Sequence, residues 1–360
     1  KWASYYMKDQ NKICFIVPTL KMGGMERVVS LLSNYSVENG FHVYIICLMQ
    51  NQAAYEISNA VSIVTPSFDY QGGMIGKLKV LYHLIKSLKD IDPDVVLAFS
   101  EVFNPISILA ARIARTPIYV SDRSSPQENL RLSIQLLRRL TYPFAKGMVS
   151  QTEKAKSIAI ERRYNSNIAV IPNPLRQIED DIPRVKQEII ISVGRLIPTK
   201  NFKELIDIFF EVDAEKKWQL WILGEGADRI NLEDQITKLG LNDRVKLFGA
   251  IDNLDYYLAQ ASIFAFTSTS EGFPNVLSEA LAFPLPCITY NCPAGPADLI
   301  QHGENGFLIP LHDKSEFKNN LQNLMLDQPL RESLVDNYEE HRDKFDVNNI
   351  SKKYLSFLFS

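Results

Sequence analysis

The residues best suited to chemistry in this 360-residue chain lie in short loops that each leave an apolar run and enter a helical pattern. The richest is Ser268-Thr269-Ser270-Glu271-Gly272-Phe273-Pro274-Asn275-Val276-Leu277-Ser278-Glu279-Ala280. Gly272 permits a turn and Pro274 suits the first turn of a helix, so backbone N–H groups around Phe273–Val276 are expected to face an anionic ligand. Glu271 precedes that helix and Glu279 lies about one turn inside it. Two carboxylates spaced along one ligand suit hydroxyl recognition better than metal binding. The plain structural alternative makes Glu271 a partner of the helix dipole and Glu279 a surface residue.

A second loop, Ser192-Val193-Gly194-Arg195-Leu196-Ile197-Pro198-Thr199-Lys200-Asn201, places two cations five residues apart across a turn that Pro198 keeps from being helical. Arg195 and Lys200 can converge on a diphosphate. Gly224-Glu225-Gly226 opens another backbone edge after a strand, where open α/β sheets bind ligands. Near the start, Gly23-Gly24 leads into a helix and lets backbone N–H groups approach a phosphate. It is not the G-x-G-x-x-G fingerprint and no P-loop lysine follows, so nicotinamide or ATP binding is not indicated. Solvated loop charges and an ordinary Gly-Gly turn are the alternatives for these segments.

The elements that must position these loops are apolar runs separated by helical patterns: Ile13–Val17, Val43–Leu48, Val95–Ser100, Ile118–Ser121, Ile189–Val193, Trp218–Leu223, Val245–Phe248, Ile263–Phe266 and Cys287–Thr289. That alternation predicts parallel sheets covered by helices on both faces. The stretch 171–188, with three prolines and an acidic cluster, breaks the rhythm and reads as a linker. A chain of this length exceeds the roughly 250–300 residues of a single core, which also predicts two domains. Charge divides the same way: residues 1–180 hold 21 Lys and Arg against 15 Asp and Glu, net +6, leaving −9 for the remainder of a chain of net −3.

With 46% hydrophobic and 22% charged residues, the chain is neither disordered nor fibrous. Four cysteines are too few for a disulfide scaffold, and Cys14, Cys47 and Cys287 sit in apolar runs, as expected of reduced thiols in a cytosol. No C-x-x-C or H-x-x-x-H pair occurs among four cysteines and five histidines, so no structural metal is expected. No run is long enough for a signal peptide or a membrane helix. Lys1 opens the chain while Met7-Lys8 reads as a natural start, so residues 1–6 are set outside the fold reading. The first half carries Lys77, Lys79, Lys86 and Lys89 on one helix and Arg131, Arg138, Arg139 and Lys146 around the apolar segment 132–144, a face that suits anionic lipid or simply solvates ordinary helices. It is not basic enough, and lacks a reader motif, for nucleic acid.

In this order and spacing, the Gly23-Gly24 loop, Ile171-Pro172-Asn173-Pro174, Gly194-Arg195 with Lys200, Gly224-Glu225-Gly226, the E-x(7)-E pair Glu271 and Glu279, and Gly303–Leu308 resemble glycosyltransferase family 4. The resemblance runs from about Lys12 to the C-terminus and implies the α/β GT-B fold, two Rossmann-like domains whose parallel sheets face each other across a cleft. On it the chain divides into residues 7–175, an acceptor-binding domain; 186–340, a nucleotide-sugar-binding domain; and 341–360, a C-terminal helix near Ile350–Phe359 returning to the first domain. The resemblance implies that Arg195 and Lys200 hold the diphosphate, Glu279 the ribose hydroxyls and Glu271 the transferred sugar. Backbone at Gly194, Gly224–Gly226 and Phe273–Val276 contacts the donor, and Gly23 and Gly24 meet its phosphate. No metal or other cofactor is implied, because two cations and helix N–H groups offset the charge on the leaving diphosphate.

Family members often have a histidine after the strand that here ends at Ser121. This chain has Asp122-Arg123-Ser124-Ser125-Pro126, with Arg123 aligned to the histidine and Asp122 the alternative acceptor contact. Cys292-Pro293-Ala294-Gly295-Pro296-Ala297-Asp298 resembles the loop of members that build bacterial surface polysaccharides, several of which use UDP-galactose or UDP-N-acetylgalactosamine. The resemblance therefore implies a retaining transferase that moves a hexosyl or N-acetylhexosaminyl group in α linkage from a UDP-sugar to a lipid-linked saccharide. Such an enzyme is expected to be cytoplasmic, peripheral on the inner membrane through its basic first domain. The rival readings are a GT-B isomerase of the UDP-N-acetylglucosamine epimerase type, a non-catalytic nucleotide-sugar binding protein, and a nicotinamide dehydrogenase.

Overall fold

A computed structural model describes residues 11–21, 23–50, 53–127, 130–179, 182, 185–212 and 217–360. The expected start at Met7, and Asp180 and Asp181 of the acidic cluster, lie outside the described residues. Backbone contacts divide the chain into two compact units: one ends at Pro174 and takes in Phe345–Ser360, the other spans Leu175–Lys344.

In the first unit the order is β1 (Lys12–Val17), α1 (Gly24–Glu38), β2 (His42–Cys47), β3 (Ser62–Val64), α2 (Gly73–Ile91), β4 (Val95–Phe99), α3 (Asn104–Ala114), β5 (Ile118–Ser121), α4 (Leu132–Thr141), β6 (Gly147–Ser150), α5 (Glu153–Glu161) and β7 (Ile168–Val170). The second unit runs β8 (Ile189–Val193), α6 (Phe202–Val212), β9 (Gln219–Leu223), α7 (Arg229–Lys238), β10 (Val245–Gly249), α8 (Leu254–Gln260), β11 (Ile263–Phe266), α9 (Asn275–Leu281), β12 (Cys287–Asn291), α10 (Pro296–Leu299), β13 (Gly306–Pro310), α11 (Lys314–Leu326), α12 (Gln328–Ser333) and α13 (Tyr338–Phe345). The chain then forms α14 (Val347–Leu358), whose Ile350, Tyr354 and Leu358 enter the core of the first unit with α1.

Both sheets are parallel, ordered β3-β2-β1-β4-β5-β6-β7 and β10-β9-β8-β11-β12-β13. Their inner strands, such as β1 (KICFIV) and β4 (VVLAF), are buried almost throughout, because parallel strands covered on both faces need unbroken apolar runs. Each order reverses once, between β1 and β4 and between β8 and β11. Ligand crevices form outside the carboxyl ends of the strands at such a reversal. The reversal places Gly194–Lys200 beside Thr267–Glu271 in the second unit, while in the first the Gly23-Gly24 loop follows β1 and Glu101 follows β4.

Four strands carry too little signal to be read from sequence. β3 and β7 have three residues each. β13 lies in GENGFL, where Gly306 takes φ 158° and a side chain there would meet the Cys287 carbonyl at 2.5 Å. β6 opens with Gly147, whose missing side chain admits the Phe357 ring of α14; an added Cβ would stand 2.8 Å from it.

Candidate functional site

The second unit builds its crevice by fastening three loops together. Gly194 N–H donates to the Leu223 carbonyl at 2.9 Å, Leu196 N–H to Glu225 at 2.9 Å, and Asp228 N–H returns to Leu196 at 2.9 Å. The approach is close enough to require glycine. Gly224 sits at φ 140° with the Gly194 carbonyl 1.9 Å from where a Cβ would be, and at Gly226 the Leu196 carbonyl would be 2.2 Å away. Thr269 N–H donates to Thr199 at 2.8 Å and the Thr267 hydroxyl to Lys200 O at 3.0 Å, which ties the loop after β11 to the loop after β8.

That fastening brings together two residues 71 positions apart. Lys200 Nζ forms an ion pair with Glu271 Oε1, the Ser268 hydroxyl donates to the same oxygen at 2.5 Å, and the ammonium stands 5.2 Å from the Phe266 ring centre. The lysine stem runs past Gly194, where a Cβ would meet it at 3.3 Å. Arg195 is exposed at the same loop. Cys292 adjoins the pair: burial, then the Glu271 charge, pushes its thiol up to about 12. The bend that carries Cys292 also packs on the E-x(7)-E loop, since Gly295 at φ 98° leaves only 2.1 Å between a would-be Cβ and Pro274 Cδ. Asp298 lies inside α10 rather than capping it.

Glu279 is buried on α9, which removes the surface-residue alternative. Pro274 stands at the cap position, so α9 begins one residue later, at Asn275. Behind Glu279, Arg176 Nε approaches Oε2 at 3.6 Å while its Nη1 donates to Asp255 Oδ2 at 2.9 Å. Burial disfavours the guanidinium charge, yet the hydrogen bond to Asp255 and the charges of Glu279 and Asp255 hold its pKa above the ordinary value. Neither Arg176 nor Asp255 is singled out by sequence. Arg176 is 103 residues from Glu279 and only the fold pairs them. The same helix is braced by α13, where His341 Nε2 lies 3.0 Å from the Ser278 carbonyl oxygen and Arg342 Nε donates to Ala282 O at 2.6 Å. Glu225 is half-exposed and paired with Arg229 Nη1 at 2.6 Å, and Phe273 is buried.

In the first unit, Gly23 is extended at the start of α1 and the Glu26 side chain folds over it, its Oε2 2.3 Å from a would-be Gly23 Cβ. Burial raises the Glu26 pKa, with Thr19 Oγ1 donating to its Oε1 at 3.3 Å. A carboxylate therefore covers the backbone that the sequence assigns to a phosphate. Asp122 is held on several sides: Arg138 pairs with Oδ2, the Tyr142 hydroxyl donates to Oδ1 at 2.6 Å and Asn104 Nδ2 lies 3.3 Å from it. Arg123 donates to Asn173 Oδ1 at 2.6 Å and Tyr354 Oη at 2.9 Å, with its guanidinium 4.6 Å from the Phe99 ring centre. Glu101, which the sequence reading missed, accepts the N–H groups of Arg123 and Ser124, both at 2.5 Å. Burial and then the Asp122 charge raise the Glu101 pKa. Only its place after the carboxyl end of β4 would have marked it.

Among the described residues, no group of three His, Cys, Asp or Glu side chains is arranged to hold a metal ion, and no helix is long and apolar enough to cross a membrane.

Residues 22–176 match the family model for Glycosyltransferase Family 4, and residues 176–341 match that for Glycosyl transferases group 1. The chain belongs to glycosyltransferase family 4. It is 27% identical, over 96% of its length and 98% of the relative's, to a Campylobacter jejuni GalNAc-alpha-(1->4)-GalNAc-alpha-(1->3)-diNAcBac-PP-undecaprenol alpha-1,4-N-acetyl-D-galactosaminyltransferase. It is 26% identical to the amylovoran biosynthesis glycosyltransferase AmsD of Erwinia amylovora, over 93% of this chain and 96% of that one. In fold it is similar to the lipopolysaccharide outer core galactosyltransferase WaaB (TM-score 0.78, 22% identity, 97% and 99% covered). It is equally similar to Anabaena HepE in complex with UDP (TM-score 0.78, 20% identity, 97% and 99% covered). Both units thus have the Rossmann-like architecture of the GT-B fold.

Proposed function

We propose that this glycosyltransferase retains anomeric configuration and moves a hexosyl or N-acetylhexosaminyl group from a UDP-sugar to a lipid-linked saccharide, in bacterial surface polysaccharide synthesis. The observation that carries the reading is the Lys200–Glu271 pair at the β8/β11 reversal, with buried Glu279 on the following helix. An ammonium has three donors, so Lys200 can bind Glu271 and still donate to a phosphate oxygen. In this reading Lys200 and Arg195 stabilise the diphosphate as its bond to the sugar's anomeric carbon breaks. Glu271 accepts from sugar hydroxyls and Glu279 from ribose hydroxyls. The acceptor hydroxyl attacks the same face and its proton passes to the departing phosphate oxygen, which gives an α linkage from an α donor. No metal ion is needed for charge neutralisation. The first unit, with Arg123 and Glu101 at the carboxyl ends of its strands, receives the acceptor on the cytoplasmic face of the membrane.

The name of the Campylobacter jejuni relative, an N-acetylgalactosaminyltransferase for an undecaprenyl diphosphate saccharide, supports that donor and acceptor class. Thermal shift with UDP, GDP, ADP, CMP and several UDP-sugars tests the donor, because a ligand that binds only the native state raises the melting temperature. A selective response to UDP and one UDP-sugar, unchanged by EDTA, is expected. A response to GDP alone, or to no nucleotide, rejects the donor assignment.

A further inference from the structure

We infer that Glu101 is the residue through which the first unit holds the acceptor, its Oε2 accepting a saccharide hydroxyl, while Asp122 and Arg123 hold the surrounding loop in shape. The inference deepens the reading proposed above and rests on it for the identity of the ligand. Glu101 follows β4, and Asp122 and Arg123 follow β5, the neighbouring strand, beside the reversal in strand order of the first sheet. Ligands of open α/β sheets bind outside the carboxyl ends of strands at such a reversal. The sequence singles out Asp122 and Arg123 of these three. The fold bonds both of those to the protein and leaves the third open.

Asp122 has both oxygens engaged. Oδ1 accepts from the Tyr142 hydroxyl at 2.6 Å and lies 3.3 Å from Asn104 Nδ2, while Oδ2 pairs with Arg138. The sequence places Arg138 on a basic outer face, but it is only 6% exposed and turned inward for this pair. Arg123 is tied down in the same way: Nη1 donates to Asn173 Oδ1 at 2.6 Å, Nη2 donates to Tyr354 Oη of α14 at 2.9 Å, Nε is buried, and the guanidinium lies 4.6 Å from the Phe99 ring centre. These contacts make the guanidinium a strut between the loop after β5 and α14.

Glu101 differs from both. It is 7% exposed, and its Oε1 accepts the Arg123 and Ser124 N–H groups, but no side chain of the described residues donates to Oε2. A buried carboxylate without a cation or a full set of donors is costly, and burial followed by the Asp122 charge raises its pKa accordingly. The backbone that aims it is also unusual. Ser100 takes φ 105°, in the left-handed region that favours glycine, and is held there by its carbonyl, which accepts the N–H groups of Phe103 at 3.1 Å and Asn104 at 2.8 Å. A serine persists in that region only where its surroundings impose it, and such positions cluster at ligand sites. The chemistry selects the ligand. A carboxylate oxygen repels phosphate. With Asp122 already bonded, no second carboxylate is left to share a cation, and among the described residues no group of three His, Cys, Asp or Glu side chains is arranged for a metal ion. A neutral hydroxyl supplies the missing donor and makes the stronger, charge-assisted kind of hydrogen bond. Saccharides present such hydroxyls, so Glu101 reads the sugar of the acceptor and not its diphosphate.

The experiment is saturation-transfer difference NMR of the full chain in the presence of UDP, with methyl α-galactoside, methyl N-acetyl-α-galactosaminide and methyl α-glucoside as probes, comparing wild type with Glu101→Gln. Glutamine keeps the length of the side chain, and its carbonyl oxygen still accepts the Arg123 and Ser124 N–H groups, but it presents an NH2 group in place of Oε2. Wild type is expected to bind at least one glycoside. Glu101→Gln is expected to bind it at least roughly tenfold more weakly, since a charge-assisted hydrogen bond is lost, while its melting temperature and its UDP thermal shift stay unchanged. Absence of wild-type binding, or equal binding by Glu101→Gln, overturns the inference. A variant that melts several degrees lower also overturns it, by making Glu101 a brace of the loop. So does displacement of the Glu101-dependent signal by a UDP-sugar but not by UDP, which would give Glu101 to the donor sugar. A UDP response without Glu101-dependent glycoside binding rejects only this inference; Glu101-dependent binding without any nucleotide response keeps the hydroxyl site and rejects the transferase assignment.

Discussion

Arg176→Met offers the sharpest check on how buried Glu279 and the crevice of the second unit are held in place. The guanidinium is 23% exposed and bridges two carboxylates, Asp255 and Glu279, whose side chains are each 2% exposed. Asp255 accepts from Arg176 Nη1 at 2.9 Å and from the Glu179 N–H at 2.9 Å. Removing the arginine leaves two buried carboxylates without their shared cation, which costs about 3–5 kcal/mol, with partial water access favouring the lower end. For a unit spanning Leu175–Lys344, each kcal/mol moves the melting temperature by roughly 2–4 °C, so a fall of ~6–20 °C is expected in differential scanning calorimetry. The UDP affinity of the folded variant should fall too, because Glu279 loses the group that orients it. Arg176→Met/Asp255→Asn should be more stable than Arg176→Met alone, since one uncompensated charge is removed with the arginine. The reasoning fails if Arg176→Met melts within about 2 °C of wild type, or if the double variant is no more stable than Arg176→Met.

Other consequences follow from the same geometry. Lys200→Ala is expected to lower turnover roughly 10²–10³-fold with the fold intact, and wild-type turnover would remove Lys200 from the reaction. Gly224→Ala should melt markedly lower and lose UDP binding, because its Cβ would stand 1.9 Å from the Gly194 carbonyl at φ 140°; an unchanged melting curve would contradict the loop fastening. Burial, followed by Lys344, lowers the pKa of His341 to about 4, although the Ser278 carbonyl opposes the shift. The unfolded chain, with its imidazole near 6.5, binds this proton first, so up to about 3 kcal/mol of stability present above pH 6.5 drains away as pH falls towards 4. His341→Gln should flatten that dependence between pH 7 and 4.5, and an identical pH–stability slope in both proteins would refute it. All four cysteines are buried, so native protein should show no fast reaction with a thiol reagent, and denatured protein should show four equivalents; a fast-reacting equivalent in native protein would refute their burial.

The fold class and the glycine- and proline-built loops of the second unit's crevice are written locally in the chain. Parallel strands buried on both faces must be written as unbroken apolar runs, and tight strand-to-helix loops must use glycine and proline, so β1, β4, β8 and β11 and the loops at Gly194, Gly224 and Gly272 are legible in one dimension. The return of the C-terminal helix was legible from the apolar spacing of Ile350–Phe359 together with the family resemblance. Pairings between residues far apart in the chain are set by the fold alone. Lys200 meets Glu271 because β8 and β11 are neighbours across a chain reversal, Arg176 reaches Glu279 across 103 residues, and Glu101 lies beneath Arg123 because β4 pairs with β5. No local pattern encodes these, since hydrogen bonds and ion pairs depend on spatial and not sequential separation. The orientation of α4 is the clearest case: periodicity alone would turn Leu132, Leu136 and Leu140 inward, and only the Asp122–Arg138 pair, formed across the fold, turns them out.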